Sequence, residues 1–405
     1  MGILQTSTLA AGPLAGLLAH GRTRLGDQLG EGTLVAGSGV RPYLLALIAE
    51  RHAPLIVVSA RSSDADALVD GLAAFLGADR VALFPPWETL PHERLSPQPA
   101  TVGQRLAVLD RLRRSAVHPD GGSPVPDSDG GEPPLAAVVV PVRAALQPMD
   151  PKLGERAPLT IDRRYDGGFD RLLDQLVQLG YDRVTQVETR GQFAVRGGIL
   201  DVFPTAGAHA VRLEFWGDDV ESMREFAVAD QRSTNPVDRV RVDPARELVI
   251  DADLRARARA VAARLPSIAD QLHLLADGVM FEGIESLVTL LHPRPRLLPE
   301  FLPSSGGLAL VDPLLVLERA ATLRREAEAL LEVAWETAAG HRPEDAGYAD
   351  VDLLLDRTPG PTWQLTPFVT ERGAVAPLDS APWESFQGDT AALARRLGAM
   401  DQRVV

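Results

Sequence analysis

The apolar positions of this chain change their period twice, and the changes divide it. Leu44, Leu45, Leu47 and Ile48 recur with the spacing of a buried helix, and Leu55-Ile56-Val57-Val58 is a short β-branched run of strand length. Helical spacing returns over 65–75, a second strand pattern over Val81-Ala82-Leu83-Phe84, and another helix over 101–112. Strands alternating with helices predict a parallel sheet. Residues 118–134 are rich in Pro, Gly, Ser and Asp, as a surface excursion is. Strand character resumes at once in Ala136-Ala137-Val138-Val139-Val140, so the excursion lies within a domain.

Over 166–179 the pattern becomes an amphipathic helix, with Phe169, Leu172, Leu173, Leu176 and Leu179 on one stripe and Gly180 as a C-cap. A period of two then runs to about residue 228, with turns at Gly191, Gly207 and Gly217. This predicts a small antiparallel sheet packed by one helix. Helical periodicity with i,i+4 charge pairs returns over 251–276 and 313–339, and a helix is expected over 390–397. The expected division is a first domain over 1–145, with its excursion at 118–134, and a small domain over 146–235. A third region over 236–340, a linker over 341–361 and the start of a further domain over 362–405 follow. Arg403-Val404-Val405 reads as the entrance to a strand, so that last domain is expected to continue.

Composition narrows the function. At 405 residues and 45% hydrophobic, two to four domains with a sizeable core are expected. A net charge of −14 opposes a broad nucleic-acid footprint, although a local basic patch still binds. Without cysteine there is no disulfide, thiolate zinc site or thiol nucleophile. His92 and Glu93 do not have metal-ligand spacing, and no metal site is expected. No apolar run reaches membrane-spanning length and the start lacks a basic secretory n-region, so no membrane contact and a cytoplasmic location are expected.

Three stretches carry candidate chemistry. Gly37-Ser38-Gly39-Val40-Arg41 lies between a strand and a helix, where a phosphate-binding loop would sit. Such a loop needs a lysine and a hydroxyl for phosphate and magnesium, and Val40-Arg41 supplies neither. Leu308-Ala309-Leu310-Val311-Asp312-Pro313 ends a strand on an acid, but Pro313 replaces the carboxylate that should follow. The pair equally makes a helix N-cap with proline at N1. Finally, Arg183, Arg190 and Arg196 surround Phe193 in the period-two region. A hairpin at Arg190-Gly191 would bring Arg183 near Arg196, giving a surface for a partner's carboxylates; a solvated sheet face is the alternative.

Phe84-Pro85-Pro86-Trp87-Glu88-Thr89-Leu90-Pro91, Arg196-Gly197-Gly198-Ile199-Leu200-Asp201-Val202-Phe203-Pro204 and Arg212-Leu213-Glu214-Phe215-Trp216-Gly217-Asp218-Asp219-Val220-Glu221-Ser222 resemble the bacterial transcription-repair coupling factors (Mfd), in an actinobacterial-like version. The resemblance implies domains 1A, 2 and 1B of a UvrB-like N-terminal module and the start of domain 3. That fold is α/β: a helicase-like parallel-sheet lobe with an inserted small antiparallel-sheet domain. It implies UvrA as partner, through Arg183, Arg190, Phe193 and Arg196, with Ala194 standing where the family has an arginine. It implies no catalytic residue and no cofactor in this chain. ATP and magnesium would serve a DNA translocase motor beyond residue 405, as would contacts with RNA polymerase and duplex DNA. Other domains of the whole protein would mask this module until the motor engages DNA. A lobe that binds DNA or a nucleotide, with residual activity, is the alternative function.

Overall fold

A computed structural model describes residues 12, 14–25, 29–90, 93, 95–116, 133–155, 158–336, 347–368, 391–392 and 395–396. Helix α1 (Ala15–Leu25) leads into β1 (Gly32–Val35), α2 (Arg41–Arg51), β2 (Leu55–Ser59), α3 (Ser62–Leu76), β3 (Val81–Leu83), α4 (Pro99–Ala116), β4 (Ala137–Pro141) and the short α5 (Val142–Ala145). The smaller domain holds β5 (Leu159–Asp162), α6 (Phe169–Gln178), β6 (Asp182–Arg183), β7 (Gln192–Arg196), β8 (Ile199–Val202), β9 (Ala210–Trp216), β10 (Asp219–Phe226), β11 (Ser233–Pro236) and β12 (Arg239–Val242). Helices α7 (Ala252–Ala262), α8 (Ala269–Ala276) and α9 (Val288–Leu291) follow. The chain then returns through β13 (Gly307–Val311), α10 (Pro313–Glu336), α11 (Val351–Asp356) and β14 (Thr362–Thr366).

The large sheet runs β1-β14-β13-β2-β4-β3, every pair parallel. Its middle strands β2, β4 and β13 are buried at every residue, which is why they read as unbroken apolar runs. Helices α1, α2 and α3 cover one face, with Leu44, Ile48 and Leu72 in the core. Helices α4, α5, α10 and α11 cover the other, through Val102, Leu109, Val316 and Leu354. The small domain is inserted between β4 and β13 and forms a second six-stranded sheet, β11-β10-β9-β8-β7-β6, packed by α6. Among the described residues no helix is long and apolar enough to cross a membrane.

Several expected boundaries move. Strand β14 lies between β1 and β13, with Trp363 and Leu365 buried, so 362–366 complete the large sheet rather than start another domain. Within the expected linker, Tyr348, Val351 and Leu354 enter the large core; 341–346 lie outside the described residues. The small domain passes residue 235, because β12 pairs antiparallel with β5 and Val240 and Val242 join its core. The region expected over 236–340 splits: α7, α8 and α9 form their own apolar cluster, whereas β13 and α10 belong to the large lobe. Pro266 sits between α7 and α8, so the periodicity over 251–276 is two helices, not one. Residues 118–132 lie outside the described residues, as do 390, 393, 394 and 397 of the helix expected over 390–397, whereas 391–392 and 395–396 are helical.

Candidate protein-docking face

Alternation along the strands gives the small sheet two distinct faces. Phe193, Leu200, Val202, Val211, Leu213 and Phe215 point to α6, where they meet Leu172 and Leu176. Gly180, at φ +83, lets the helix stop there: the Tyr181 N–H donates to the Leu176 carbonyl and the Gly180 N–H to the Val177 carbonyl. The opposite face carries the cross-strand rows Ala194–Asp201–Arg212–Arg224 and Arg196–Ile199–Glu214–Ser222. At one end it is closed by a small apolar cluster of Val187, Ala194, Phe203, Ala210 and Phe226. The rest of that face is open.

The four predicted docking residues do not share one place. Arg196 is exposed on the open face, and its guanidinium donates only to the Thr185 carbonyl at 3.2 Å. Arg190 is half-buried, stacked 4.8 Å over the Phe203 ring with Nε donating to the Gly207 carbonyl. Arg183 is exposed on β6 at the sheet edge. No hairpin joins it to Arg196, because β6 and β7 are parallel and Arg183 pairs with Phe193. Paired residues share a face, so Arg183 lies on the α6 side and Arg196 on the other. Phe193 is 0% exposed and packs in the core; its aromatic ring supports the sheet and is closed to a partner.

The open face also holds residues that motif reading passed over. Arg212 makes a bidentate pair with Asp201 at 2.7 and 2.8 Å and lies over the Phe226 ring. That hydrogen-bonded carboxylate raises the Arg212 pKa above its ordinary value. Glu214 accepts from the Ser222 hydroxyl at 2.8 Å. Arg224 is exposed and makes no side-chain bond or ion pair with another described residue. Trp216 is 81% exposed at the end of β9. A period-two reading extended from Ala210 would have placed Arg212, Glu214 and Trp216 together on this face.

The loop Gly37-Ser38-Gly39-Val40-Arg41 has the outline of a phosphate loop and a different content. Ser38–Val40 form one tight turn ahead of α2, with Pro42 in its first turn. Arg41 is 8% exposed, and its two terminal nitrogens donate to both Asp312 oxygens at 2.6 and 2.7 Å. Asp312, the residue after β13, sits at φ +54, an uncommon conformation for a non-glycine residue. The cation and carboxylate that could serve phosphate and metal are thus committed to each other. The arginine at the lysine position of such a loop is therefore held in an ion pair, and the described residues contain no group of three or more acids and histidines able to hold a metal.

Residues 159–248, from β5 to just past β12, match the family model described as the UvrB interaction domain. Over 384 residues, 89% of this chain, the sequence is 41% identical to the transcription-repair-coupling factor of Mycobacterium tuberculosis (strain CDC 1551 / Oshkosh). The chain carries the UvrB-like module of the transcription-repair-coupling factors. Coupling factors of Myxococcus xanthus and Escherichia coli (strain K12) are 36% identical over 65% of the chain and 31% over 51%. The chain spans 30% of the mycobacterial protein's length, 22% of that from Myxococcus and 17% of that from Escherichia coli.

In this coupling-factor module the interaction domain is held firmly to the large lobe. Arg105 of α4 is fully buried and pairs with Glu247 at 2.6 and 3.1 Å, and also donates to the Pro85 carbonyl and Gln147 Oε1. Phe84 lies 4.2 Å beneath the guanidinium and Trp87 5.5 Å away. Arg241, next to the small core, bridges Asp243 and Asp110 of α4. The Trp87 loop therefore serves as part of the joint between the large lobe and the small domain.

Proposed function

We propose that this chain is the UvrA-recruiting module of a longer transcription-repair-coupling factor, docking UvrA through the open face of its small sheet. One observation carries the reading: within the segment that matches the UvrB interaction domain, Arg196 presents an exposed guanidinium with no carboxylate of its own. Planar guanidinium groups bind a partner's carboxylates in bidentate fashion and are over-represented among binding hot spots. Arg190, half-engaged with Phe203, flanks the same face, while Arg183 extends the surface around the sheet edge. The large lobe acts as a scaffold and binds no nucleotide or other cofactor, in keeping with the Arg41–Asp312 pair.

The whole protein, on this reading, is a cytoplasmic ATP-dependent DNA translocase that displaces RNA polymerase stalled at lesions and hands the damage to excision repair. Its ATP, magnesium, duplex DNA and polymerase contacts lie outside this chain, and its other domains mask the docking face until the motor engages. Calorimetric titration of UvrA into the chain tests the docking face. Arg196→Ala is expected to weaken binding by about 2 kcal/mol, roughly 30-fold, without lowering the melting temperature. Equal affinity for wild type and variant would remove the assignment.

A further inference from the structure

Trp216 is the most exposed large apolar side chain among the described residues, at 81%. Nothing in its own domain covers it. Phe215 donates its N–H to the Gly198 carbonyl, which sets the Gly197–Gly198 turn beside the end of β9. Gly217, at φ +63, makes the next turn, so the backbone flanking the ring on these sides carries no side chains. The small domain already buries Phe169, Phe193, Phe203, Phe215 and Phe226 wholly or in part, and a tryptophan left in water is not needed for that packing.

Charge around the ring indicates what would cover it. Trp216 stands on the face of Arg212 and Glu214, two residues along β9 from the row that holds Arg196. At about 4.8 Å per strand and 3.4 Å per residue, the ring stands on the order of 12 Å from Arg196. Glu214 is committed to Ser222 and Arg212 to Asp201, which leaves Arg196 and Arg224 as the face's uncommitted cations. Asp219 is the register partner of Trp216, so a carboxylate already stands beside the ring. A matching surface therefore offers an apolar recess without a carboxylate for the indole, with carboxylates set over the arginines. Aromatic anchors in desolvated recesses, ringed by polar contacts, carry most of the energy of protein interfaces.

We propose that Trp216 is the aromatic anchor of the docking face, inserting into an apolar recess of the protein partner while Arg196 engages its carboxylates. This rests on the docking reading above and adds to it the residue and the kind of contact that supply affinity. The anchor term is hydrophobic, so it should persist in salt, whereas the Arg196 term should shrink as ionic strength rises.

The test uses the chain with purified UvrA in calorimetric titration at low and high salt. Trp216→Ala is expected to weaken binding roughly 30-fold or more at both salts, with an unchanged melting temperature. Trp216→Phe should recover part of the loss. Leu314→Ala, which removes a 69% exposed side chain from the large lobe, should change nothing. If Trp216→Ala binds within twofold of wild type while Arg196→Ala weakens, the anchor is wrong and the docking face stands. If neither weakens, the docking face falls with it. Should loss of the ring disturb the fold, acrylamide quenching decides, with Trp216→Phe identifying the Trp216 component: UvrA must protect that component, and continued full access overturns the anchor.

Discussion

Arg190, Arg196 and Arg212 share one face of the small sheet, yet their guanidinium groups have different fates. Arg212 is spent on Asp201, Arg190 is stacked on Phe203, and Arg196 is exposed with a single bond, to the Thr185 carbonyl. Residue type alone could not rank them, because the ranking depends on which carboxylate the register places opposite. Arg41 shows the same principle in the large lobe, where a cation at a phosphate-loop position is consumed by Asp312. Arg41→Ala leaves the Asp312 carboxylate, a quarter exposed, without its partner. Complete burial would make that cost several kcal/mol, and partial solvation reduces it to about 1–3 kcal/mol. Urea denaturation of the variant checks this loss. ATP with magnesium should leave the melting temperature of the wild-type chain unchanged, since a ligand stabilises only the state it binds.

Elements were legible where one pattern dominated. The stripe on α6, the apolar runs of β2 and β4, and the glycine stop at Gly180 follow from side-chain period and backbone freedom. Strand pairing was not legible at β6, because two residues carry no register and a turn at Gly191 suits a hairpin or a crossover equally. The parallel choice is settled by hydrogen bonds from Asp182 to Gly191 and from Val184 to Phe193. Helix α4 shows an element fixed by its neighbour. A Cβ on Gly103 would lie 2.6 Å from the Ala206 nitrogen, where backbone cannot yield cheaply. Gly103→Ala gains up to about 1 kcal/mol of helix propensity but incurs overpacking of about 1–3 kcal/mol. A net loss of stability in urea titration is expected, and a stabilised variant would show that the contact with the docking domain relaxes freely.

Across the whole molecule, the docking domain interrupts the large sheet between β4 and β13 and is fastened by buried charge. The Arg105–Glu247 pair joins α4 to the end of the small domain, and a second tie joins the loop before α4 to the α7–α9 cluster, where the Ser96 hydroxyl donates to Glu285 at 2.6 Å while accepting from the Gly283 N–H. Glu285 is 2% exposed, and burial raises its pKa above the usual carboxylate value despite Arg246 and the Ser96 bond. Below the ordinary value of 4.5 both folded and unfolded chains hold the proton, and the group's contribution is complete. As pH rises the unfolded chain releases it first, and stability is lost until pH passes the raised folded-state value. Glu285→Gln keeps an acceptor for Ser96 and removes this loss. Urea midpoints from pH 5 to 8 should therefore move in the variant's favour as pH rises, and parallel profiles would contradict the assignment.

By itself the sequence determined the alternating α/β lobe, the separate small sheet with its helix, and the presence of Val40-Arg41 where a phosphate loop carries a lysine and a hydroxyl. These depend on local period and on which residue types are present, both of which a single chain displays. Only the tertiary structure decided that 362–366 close the large sheet, that Phe193 faces the core, and that Arg183 and Arg196 lie on opposite faces. Those outcomes turn on hydrogen bonds and packing between segments far apart in the chain. The preference of one residue for such a partner is too weak to be seen until the whole sheet has formed.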